Sequence, residues 1–496
     1  MATNETPQER RSGLLVNQLT PICAPATAPG GALSVVRVSG EGCIALCDTI
    51  FHAKNGRTLS DTKGGSVRFG YITSDDGTTL DEVLASVFRA PHSYTGQDSV
   101  EFSCHASPYI VAELLRLLCQ AGCRTAEPGE FTRRAFLAGK LDLSQAEAVA
   151  DLISARTCAA HRVAMNQLRG SLYREFEALH ERLLRLSSLL ELELDFADHE
   201  DLEFADRTEL LALCDELDSR IAALLSTYRV GDAVRHGLPV CIVGDTNAGK
   251  STLLNRLVGD DRAIVSDTRG TTRDLIEDTV QIGGTTFRFI DTAGIRDTDD
   301  TVERIGIDRA LAAVSRAEIV LWVVDATRAE SETTALAPRL APLVQDKPLL
   351  LLLNKTDLLT GNKKQETINI ATQEDNGEWV MVNGQWSMVN GQWPMVKISA
   401  KTGDGIPALQ SRLAAIAADL LRSDSDTILT NARHTEAFAR ALDAIRRARR
   451  ALADGLSGEF VAQDLALARN ALAEIVGRIT PTSILHSVFQ NFCVGK

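Results

Sequence analysis

The segment Gly244–Ser251 constrains the fold more than any other, because its residues G-D-T-N-A-G-K-S fit the pattern G-x-x-x-x-G-K-S. It follows the apolar, strand-like run Pro239–Val243 and precedes Thr252–Leu257, which has the pattern of a helix. In that context glycines let backbone N–H groups point at phosphate oxygens, and the helix N-terminus adds positive potential. The segment therefore predicts a nucleotide-phosphate loop rather than a simple glycine-rich turn. Lys250 would reach the outer phosphates, and the Ser251 hydroxyl would ligate Mg²⁺.

Further motifs indicate which nucleotide is bound. Asp291–Gly294 (D-T-A-G) follows the apolar run Phe287–Ile290, so its carboxylate can hold Mg²⁺ through water and its glycine N–H can contact a γ-phosphate. Asn354–Asp357 (N-K-T-D) follows Pro348–Leu353, a run typical of a buried strand. The aspartate can accept hydrogen bonds from N1–H and the exocyclic amine of guanine, a donor pair that adenine lacks. Ser399–Lys401 (S-A-K) would complete the pocket through backbone N–H groups, so the four motifs predict a GTP-binding domain.

Length and composition limit the class of protein. A chain of 496 residues should hold roughly three domains, and an apolar fraction of 44% is ordinary for a well-packed globular protein. No apolar run approaches the roughly 20 residues that span a bilayer, and residues 1–11 lack the apolar core of a secretory signal. The ten cysteines are scattered without metal-ligand spacing, which indicates reduced thiols. We therefore expect a cytoplasmic protein without membrane association.

The charge is negative and uneven. A net charge of −14 argues against non-specific nucleic-acid binding by the whole surface. Residues 171–220 carry a net charge of −10, whereas residues 431–496 carry +3. The arginines of the latter segment cluster at Arg440, Arg446, Arg447, Arg449 and Arg450. They fit a solvated helix face and an RNA-contacting face about equally well.

The hydrophobic pattern changes along the chain. Leu33–Val38 and Ser99–Ser103 are strand-like, and Tyr109–Gln120 is helix-like. No proline occurs between Pro128 and Pro239, where a helical stripe is formed by Leu183, Leu184, Leu186, Leu189, Leu190, Leu192 and Leu194. The pattern predicts an α/β multidomain protein with an α+β N-terminal domain, a discontinuous all-α helical domain and an inserted P-loop GTPase (Ras-like) G domain. The expected N-terminal domain comprises residues 1–136 and the expected G domain residues 235–422. The two parts of the helical domain are residues 137–234 and 423–496.

The G domain is longer than its motifs require between Asn354 and Ser399. Met381–Ser387 (M-V-N-G-Q-W-S) is followed at once by Met388–Pro394 (M-V-N-G-Q-W-P), which is a direct tandem duplication. Asn-Gly between Val and Trp is a hairpin-turn signal. We interpret residues from about 360 to 396 as an insertion on the surface, in the form of a β-hairpin.

Several segments together resemble the MnmE (TrmE) family of tRNA-modification GTPases. They are Pro128–Phe136, Leu141–Ala148, Gly270–Asp274, Asp291–Arg296, Val302–Gly306 and the terminal F-C-V-G-K of Phe492–Lys496. The resemblance implies a GTP hydrolase that works with an MnmG-like FAD protein. The pair would add an aminomethyl or carboxymethylaminomethyl group to C5 of the wobble uridine of certain tRNAs. The resemblance also implies a homodimer that forms a heterotetramer with this partner.

The resemblance assigns roles in hydrolysis. Ile295 stands where small GTPases usually have a water-orienting glutamine, and its side chain cannot hydrogen-bond water. In the family, a K⁺ ion and a glutamate, here Glu303, take over the role of that glutamine in hydrolysis. The implied K⁺ ligands are Asn247, Ser266, Thr268 and Thr271, and the Mg²⁺ ligands are Ser251 and Thr272. The implied GTP-binding residues are Asn247, Ala248, Gly249, Lys250, Ser251, Thr252, Ser266, Asp267, Thr268, Arg269, Gly270, Thr271, Thr272, Asp291, Thr292, Ala293, Gly294, Asn354, Lys355, Thr356, Asp357, Ser399 and Ala400.

A tetrahydrofolate derivative (5-formyl- or methylene-tetrahydrofolate) is the implied one-carbon donor, bound by the N-terminal domain. Its implied ligands are Arg37, Glu101, Lys140 and Lys496, because a carboxylate can grip a pterin edge and cations suit the anionic glutamate tail. Taken singly, an arginine and a glutamate on two strands also fit a surface ion pair. Cys493 is the implied second catalytic residue, and a small buried residue is the alternative. The chain departs from the usual family motifs at Pro29–Gly31, Cys104–Ser107 and Arg269.

Two other functions fit a GTP-binding domain. A regulatory GTPase of ribosome assembly would share the nucleotide motifs but would normally carry an RNA-binding domain, and no segment here resembles one. A membrane-remodelling GTPase would need a membrane-inserting helix, and residues 431–496 lack an aromatic-rich insertion face.

Overall fold

The computed structural model describes residues 20–195, 207–259, 278–290, 313–344, 347–359, 379–382, 385–388, 394–422, 427–479, 482–490, 492 and 495. The chain forms two compact units. The first unit comprises Met1–Ile153, Met165–Asp218 and Ala437–Lys496, and the second comprises Ser154–Ala164 and Ser219–Glu436. The domain boundaries expected from the sequence stay predictions.

The described strands are β1 Ile22–Pro25, β2 Leu33–Ser39, β3 Phe51–Ala53, β4 Ser66–Thr73, β5 Thr79–Phe88, β6 Ser99–His105, β7 Arg124–Thr125, β8 Leu238–Val243, β9 Asp278–Ile282, β10 Thr285–Phe289, β11 Ile319–Asp325, β12 Leu349–Asn354, β13 Trp379–Val382, β14 Gln385–Met388 and β15 Met395–Lys397. The described helices are α1 Cys43–Asp48, α2 Pro108–Gln120, α3 Glu130–Leu137, α4 Leu143–Ser154, α5 Cys158–Leu168, α6 Ser171–Asp195, α7 Arg207–Ser226, α8 Tyr228–His236, α9 Lys250–Gly259, α10 Ala329–Leu340, α11 Ile406–Leu420, α12 Ala432–Ala453, α13 Gly458–Val476 and α14 Thr482–Gln490.

The N-terminal part of the first unit is a seven-stranded sheet of order β3-β4-β5-β6-β2-β1-β7. Its strands pair antiparallel except β1 with β7. Alternate residues such as Val36, Val83 and Phe102 point into one core with helices α1 and α2. Because side chains alternate between the two faces of a strand, the other face of the sheet carries polar residues. Among them are Arg37 and Glu101, which lie opposite each other in register.

The helical part of the first unit buries one stripe of the long helix α6. Leu183, Leu186 and Leu190 are buried, at the spacing of one helix face. Leu184 is exposed, so the predicted leucine stripe is narrower than the sequence pattern suggested. Only every third or fourth position of a helix faces a neighbour, which is why adjacent leucines cannot all be buried.

Four of the five clustered arginines of α12 form ion pairs with acidic residues of neighbouring helices. Arg446 and Arg449 contact Asp218 and Asp215 of α7. Arg440 and Arg447 contact acids of α13, in the pairs Arg440–Glu474 and Arg447–Asp464. The acidic surplus before residue 220 and the basic surplus after residue 431 thus partly neutralise each other. This favours the helix-face interpretation of the cluster over an RNA-contacting face.

The second unit contains a six-stranded sheet of order β15-β12-β11-β8-β10-β9. All neighbours pair in parallel except β9, which is antiparallel to β10. Helices α9 and α11 pack on one face and α10 on the other, each over an apolar core. The central strands β8, β11 and β12 are buried at every residue, as is typical of parallel strands covered on both faces.

The chain enters and leaves this α/β fold at neighbouring positions. The Leu429 N–H donates to Thr227 Oγ1 at 3.0 Å, and Arg235 donates to the Thr430 carbonyl at 3.4 Å. Gly231 lies in α8 against the Leu429 carbonyl oxygen, where any Cβ would overlap that oxygen. A domain whose two chain ends lie close together can be inserted into another domain.

The duplicated segment forms a hairpin in its first copy. Strands β13 and β14 pair antiparallel, with Val382 opposite Gln385. This agrees with the hairpin predicted from Asn-Gly. The second copy, Met388–Pro394, lies largely outside the described residues.

Candidate functional site

The phosphate loop begins directly after the buried strand β8 and ends at the first turn of α9. Its backbone has φ of 149° at Gly244, 61° at Asn247 and 95° at Gly249, in or near conformations that favour glycine or asparagine. A Cβ at Gly244 would overlap the Val323 carbonyl oxygen, and one at Gly249 would overlap the Asn354 amide. Close backbone packing therefore requires both glycines. The loop lies at the N-terminus of α9, where an anion is stabilised.

Lys250 is positioned within this loop. Its Nζ donates to the Gly244 and Asp245 carbonyl oxygens at 2.9 and 2.7 Å. Burial lowers the pKa of Lys250, while the carboxylates of Asp245 and Glu332 act in the opposite direction. A partly desolvated ammonium group has a strong electrostatic attraction for phosphate. Ser251 follows at the start of α9 and is half-buried, and Thr252 is exposed.

Asn354, the last residue of β12, joins the phosphate loop to the predicted base pocket. Its Nδ2 donates to the Ala248 carbonyl at 2.7 Å, and its Oδ1 accepts from the Ala400 N–H at 2.9 Å. All three residues are buried. The S-A-K turn and the phosphate loop are therefore fixed relative to each other by one side chain.

The remaining residues of the N-K-T-D motif surround the same turn. Ser399 Oγ donates to Asp357 Oδ1 at 2.7 Å, and Thr356 Oγ1 donates to the Ile398 carbonyl at 3.0 Å. Lys355 has a left-handed backbone with φ of 64°. The structure thus brings the predicted residues Ala248, Gly249, Lys250, Asn354, Lys355, Thr356, Asp357, Ser399 and Ala400 to the carboxyl ends of adjacent parallel strands, where ligands of open α/β sheets bind.

Sequence reasoning missed three residues of this site. Asp325, at the end of β11, accepts from Lys355 Nζ at 2.7 Å, and Glu332 of α10 accepts from the Asp325 N–H at 3.0 Å. Arg256 of α9 donates to the Ala400 and Lys401 carbonyl oxygens at 3.3 and 2.6 Å. The only sequence signal for Asp325 was an acid that ends an apolar run, Ile319–Val324.

Two of the four predicted folate ligands are in contact. Arg37 Nε donates to Glu101 Oε1 at 2.8 Å, which is the ion pair that the sequence left as an alternative. The Arg37 guanidinium also lies 5.1 Å from the ring centre of Tyr94 and 5.6 Å from that of Phe131. Lys140 donates to the Pro91 carbonyl at 2.9 Å.

The C-terminal tail reaches this same face of the first unit. Arg37 Nη1 donates to the Gly495 carbonyl at 3.5 Å, and Gly495 packs against the Pro25 carbonyl so closely that a Cβ would overlap it. Phe492 is buried and lies 5.5 Å from the Phe489 ring. Gly495 is therefore held next to Arg37, and Phe492 is anchored against Phe489.

The other predicted site residues lie outside the described residues. They are Ser266, Asp267, Thr268, Arg269, Gly270, Thr271, Thr272, Asp291, Thr292, Ala293, Gly294, Glu303, Cys493 and Lys496. Asn247 is described and is exposed in the phosphate loop. The roles of all the site residues stay predictions.

Comparison with known proteins decides the family. The description "MnmE helical domain" matches residues 143–493, and "GTP-binding protein TrmE N-terminus" matches residues 21–140. The protein named tRNA modification GTPase MnmE from Bacteroides fragilis is 47% identical over 482 residues, which cover 97% of this chain and 100% of that protein.

The chain belongs to the MnmE family. Its relative of the same name from Parabacteroides distasonis is 46% identical over 480 residues, covering 96% of this chain and all of that protein. The relative from Porphyromonas gingivalis is 45% identical, covering 96% and 98%. The family, the α/β multidomain fold class and the expected GTP hydrolase are thereby confirmed. Among the described residues, no helix is long and apolar enough to cross a membrane.

Proposed function

We propose that this chain is a K⁺-activated GTPase that modifies tRNA. With an MnmG-like FAD protein it adds an aminomethyl or carboxymethylaminomethyl group to C5 of the wobble uridine of certain tRNAs, in the cytoplasm. The observation that carries the GTPase part is the Asn354 bridge, which joins a phosphate loop to a guanine-type pocket. The tRNA part is supported by the names of relatives that match nearly the whole chain.

The described residues suit the nucleotide and its cations. Lys250 and the loop N–H groups would hold the phosphates, and Asp357 would accept hydrogen bonds from the guanine edge. The Ser251 hydroxyl and the Asn247 amide oxygen are hard oxygen donors, the type that Mg²⁺ and K⁺ prefer. Mg²⁺ would be shared with Thr272, and K⁺ with Ser266, Thr268 and Thr271. A bound K⁺ would supply positive charge beside the phosphates, where other GTPases use an arginine finger.

Four residues carry the chemical roles that remain: Glu303, Arg37, Glu101 and Cys493. Glu303 would orient the attacking water, because Ile295 cannot. The Arg37 guanidinium lies beside the Tyr94 and Phe131 rings and is paired with the Glu101 carboxylate, and this combination of groups suits a planar, anionic folate. Cys493 would act on the uridine or the one-carbon unit. Its neighbour Gly495 contacts Arg37, and its other neighbour Phe492 is buried, which supports this role.

The assembly follows from the same hypothesis. We propose a homodimer whose G domains approach each other during turnover, within a heterotetramer formed with the flavoprotein. Folate would be held by Arg37, Glu101, Lys140 and Lys496.

The K⁺ proposal is tested by GTP hydrolysis in K⁺ and in Na⁺ at equal ionic strength. The rate should be high in K⁺ and low in Na⁺, and Asn247→Ala should abolish the difference while GTP binding stays largely intact. Asn55→Ala, in an exposed turn of the first unit, serves as the control and should keep the K⁺ stimulation. Equal wild-type rates in the two salts would refute the K⁺ site.

The tRNA proposal is tested by nucleoside analysis of tRNA from cells that lack this chain. The modified wobble uridine should disappear, return with the wild-type chain and fail to return with Cys493→Ser, although that variant should hydrolyse GTP normally. A regulatory GTPase of ribosome assembly is the second candidate. If the chain had that function, its loss would leave the tRNA nucleosides unchanged and would cause ribosomal subunits to accumulate unassembled.

A further inference from the structure

Asp325 is a buried acid that no motif of the nucleotide site includes. It ends β11 and lies in register with Asn354, the last residue of the neighbouring strand β12. Only 3% of its surface is exposed. A carboxylate in such a place needs several donors, because an unpaired buried charge is costly.

Both carboxylate oxygens of Asp325 accept hydrogen bonds. Oδ2 accepts from Lys355 Nζ at 2.7 Å. Oδ1 accepts from the N–H and the hydroxyl of Thr327 at 2.9 and 2.7 Å. Burial acts to raise the pKa of Asp325, but the hydrogen bonds from Lys355 and Thr327 outweigh it, so the pKa lies below its ordinary value. Asp325 is therefore a fixed negative charge at neutral pH.

The backbone of Asp325 is held as well. Its N–H donates to Glu332 Oε2 at 3.0 Å, so α10 fixes the end of β11. Arg328 is the other nearby cation, but its Nη2 lies 3.8 Å from Oδ2 and its side chain is mostly exposed. Lys355 is thus the cation with direct contact to Asp325.

Strand order shows on which side of β12 the Lys355 ammonium group lies. Strand β12 lies between β15, next to the S-A-K turn, and β11, which is the neighbour of β8 and its phosphate loop. Asp357 contacts Ser399 on the β15 side, whereas Lys355 Nζ reaches Asp325 on the β11 side. The Lys355 ammonium group therefore lies on the β11 side of β12, which is the side of the sheet that carries β8 and the phosphate loop.

We propose that Asp325 is a positioning residue for nucleotide binding, which anchors the Lys355 ammonium group so that the lysine methylenes form one wall of the guanine pocket. An untethered lysine would lose its rotamer freedom when the nucleotide binds, whereas the tethered one has lost it already. The inference rests on the guanine pocket of the proposed function. It predicts equal effects on GDP and GTP, because the wall contacts the base and not the γ-phosphate.

The test compares Asp325→Asn with the wild-type full chain. The variant keeps the side-chain shape and removes the charge. We expect the Kd of a fluorescent GDP analogue and the KM for GTP to rise by about tenfold each, because the untethered lysine then loses its rotamer freedom on binding. The kcat at saturating GTP should stay within about twofold, which a general loss of structure would not permit. Glu318→Gln, which removes an ion pair with Arg229 at the opposite end of the same strand, is the matched control and should leave both constants unchanged.

A double variant tests the coupling to Lys355. Lys355→Ala removes the wall, and adding Asp325→Asn to it should weaken GDP binding no further. Additive losses, or an unchanged Kd in Asp325→Asn, would overturn the proposal. If Asp325→Asn does not fold, Thr327→Val removes one donor to the carboxylate and should raise the Kd by a smaller factor; an unchanged Kd there would also count against the proposal.

Asp357→Asn separates this inference from the proposed function. An amide at that position can donate to the C2 oxygen of xanthine, so the variant should prefer XTP over GTP. If Asp357→Asn keeps the guanine preference, the proposed pocket itself is wrong. If it switches the preference while Asp325→Asn binds GDP normally, only the role of Asp325 is refuted.

Discussion

Removal of the Asn354 side chain should separate the phosphate loop from the base pocket. The side chain makes two hydrogen bonds, to the Ala248 carbonyl at 2.7 Å and from the Ala400 N–H at 2.9 Å. Both partner groups belong to buried residues, so water cannot easily replace the lost amide. Each buried group left without a partner costs about 1–3 kcal/mol, so Asn354→Ala should cost about 2–6 kcal/mol in total.

This cost is divided between stability and affinity. The nucleotide needs both loops in their native arrangement, so about 2 kcal/mol of this cost should appear in GDP binding, which is about a 30-fold rise in Kd. The assay is titration with a fluorescent GDP analogue, with urea unfolding of the second unit measured in parallel.

Asn431→Ala is the matched control. Its Oδ1 accepts from the Arg433 N–H at 3.0 Å at the start of α12, away from the nucleotide site. That variant should lose about 1 kcal/mol of stability, as for a helix cap, with unchanged GDP affinity. If Asn354→Ala binds GDP within about threefold of the wild type, the bridge does not organise the site and the reasoning from buried, unsatisfied groups is wrong.

Three further predictions concern other parts of the chain. Gly231→Ala should lower the urea midpoint by an amount equal to about 1–3 kcal/mol, since its Cβ would overlap the Leu429 carbonyl; a raised midpoint, as helix propensity alone predicts, would contradict this. Glu130 is buried against Arg124 and Arg134, and although burial acts to raise its pKa, these partners hold it below the ordinary value. Its stabilisation is therefore full above about pH 5 and is lost as pH falls through the folded pKa, so Glu130→Gln should cost about 3 kcal/mol at pH 7 and flatten the acid limb of the stability curve; parallel curves would refute this. Deletion of residues 380–393 should leave GTP hydrolysis within about threefold, because shortening a surface loop changes closure entropy little, and a collapse of activity would show that the hairpin packs on the domain.

Much of the nucleotide site could be predicted from the sequence because its motifs are local. The phosphate loop needs Gly244 and Gly249 at fixed spacing, since the backbone conformation there and the close neighbours Val323 and Asn354 admit no Cβ. The continuous apolar runs of β8 and β12 likewise predict strands that are buried at every position, as the structure shows. The family resemblance rested on such local segments and is confirmed.

What the sequence could not decide were the contacts between distant segments. The arginines of α12 gave no sign of their partners, which lie more than 200 residues earlier for Asp215 and Asp218. Arg37 and Glu101 became an ion pair only because the sheet places β2 beside β6 in that register. A one-residue slip would have put them on opposite faces.

Asp325 shows the same limit within the nucleotide site. By sequence it is one acid after an apolar run, 30 residues before the lysine that it holds. The two meet because β11 and β12 are parallel neighbours whose last residues, Asp325 and Asn354, lie in register. The local sequence determines which backbone conformation a segment can adopt, whereas strand order and register determine which side chains meet. Strand order and register depend in turn on the burial of the whole sheet.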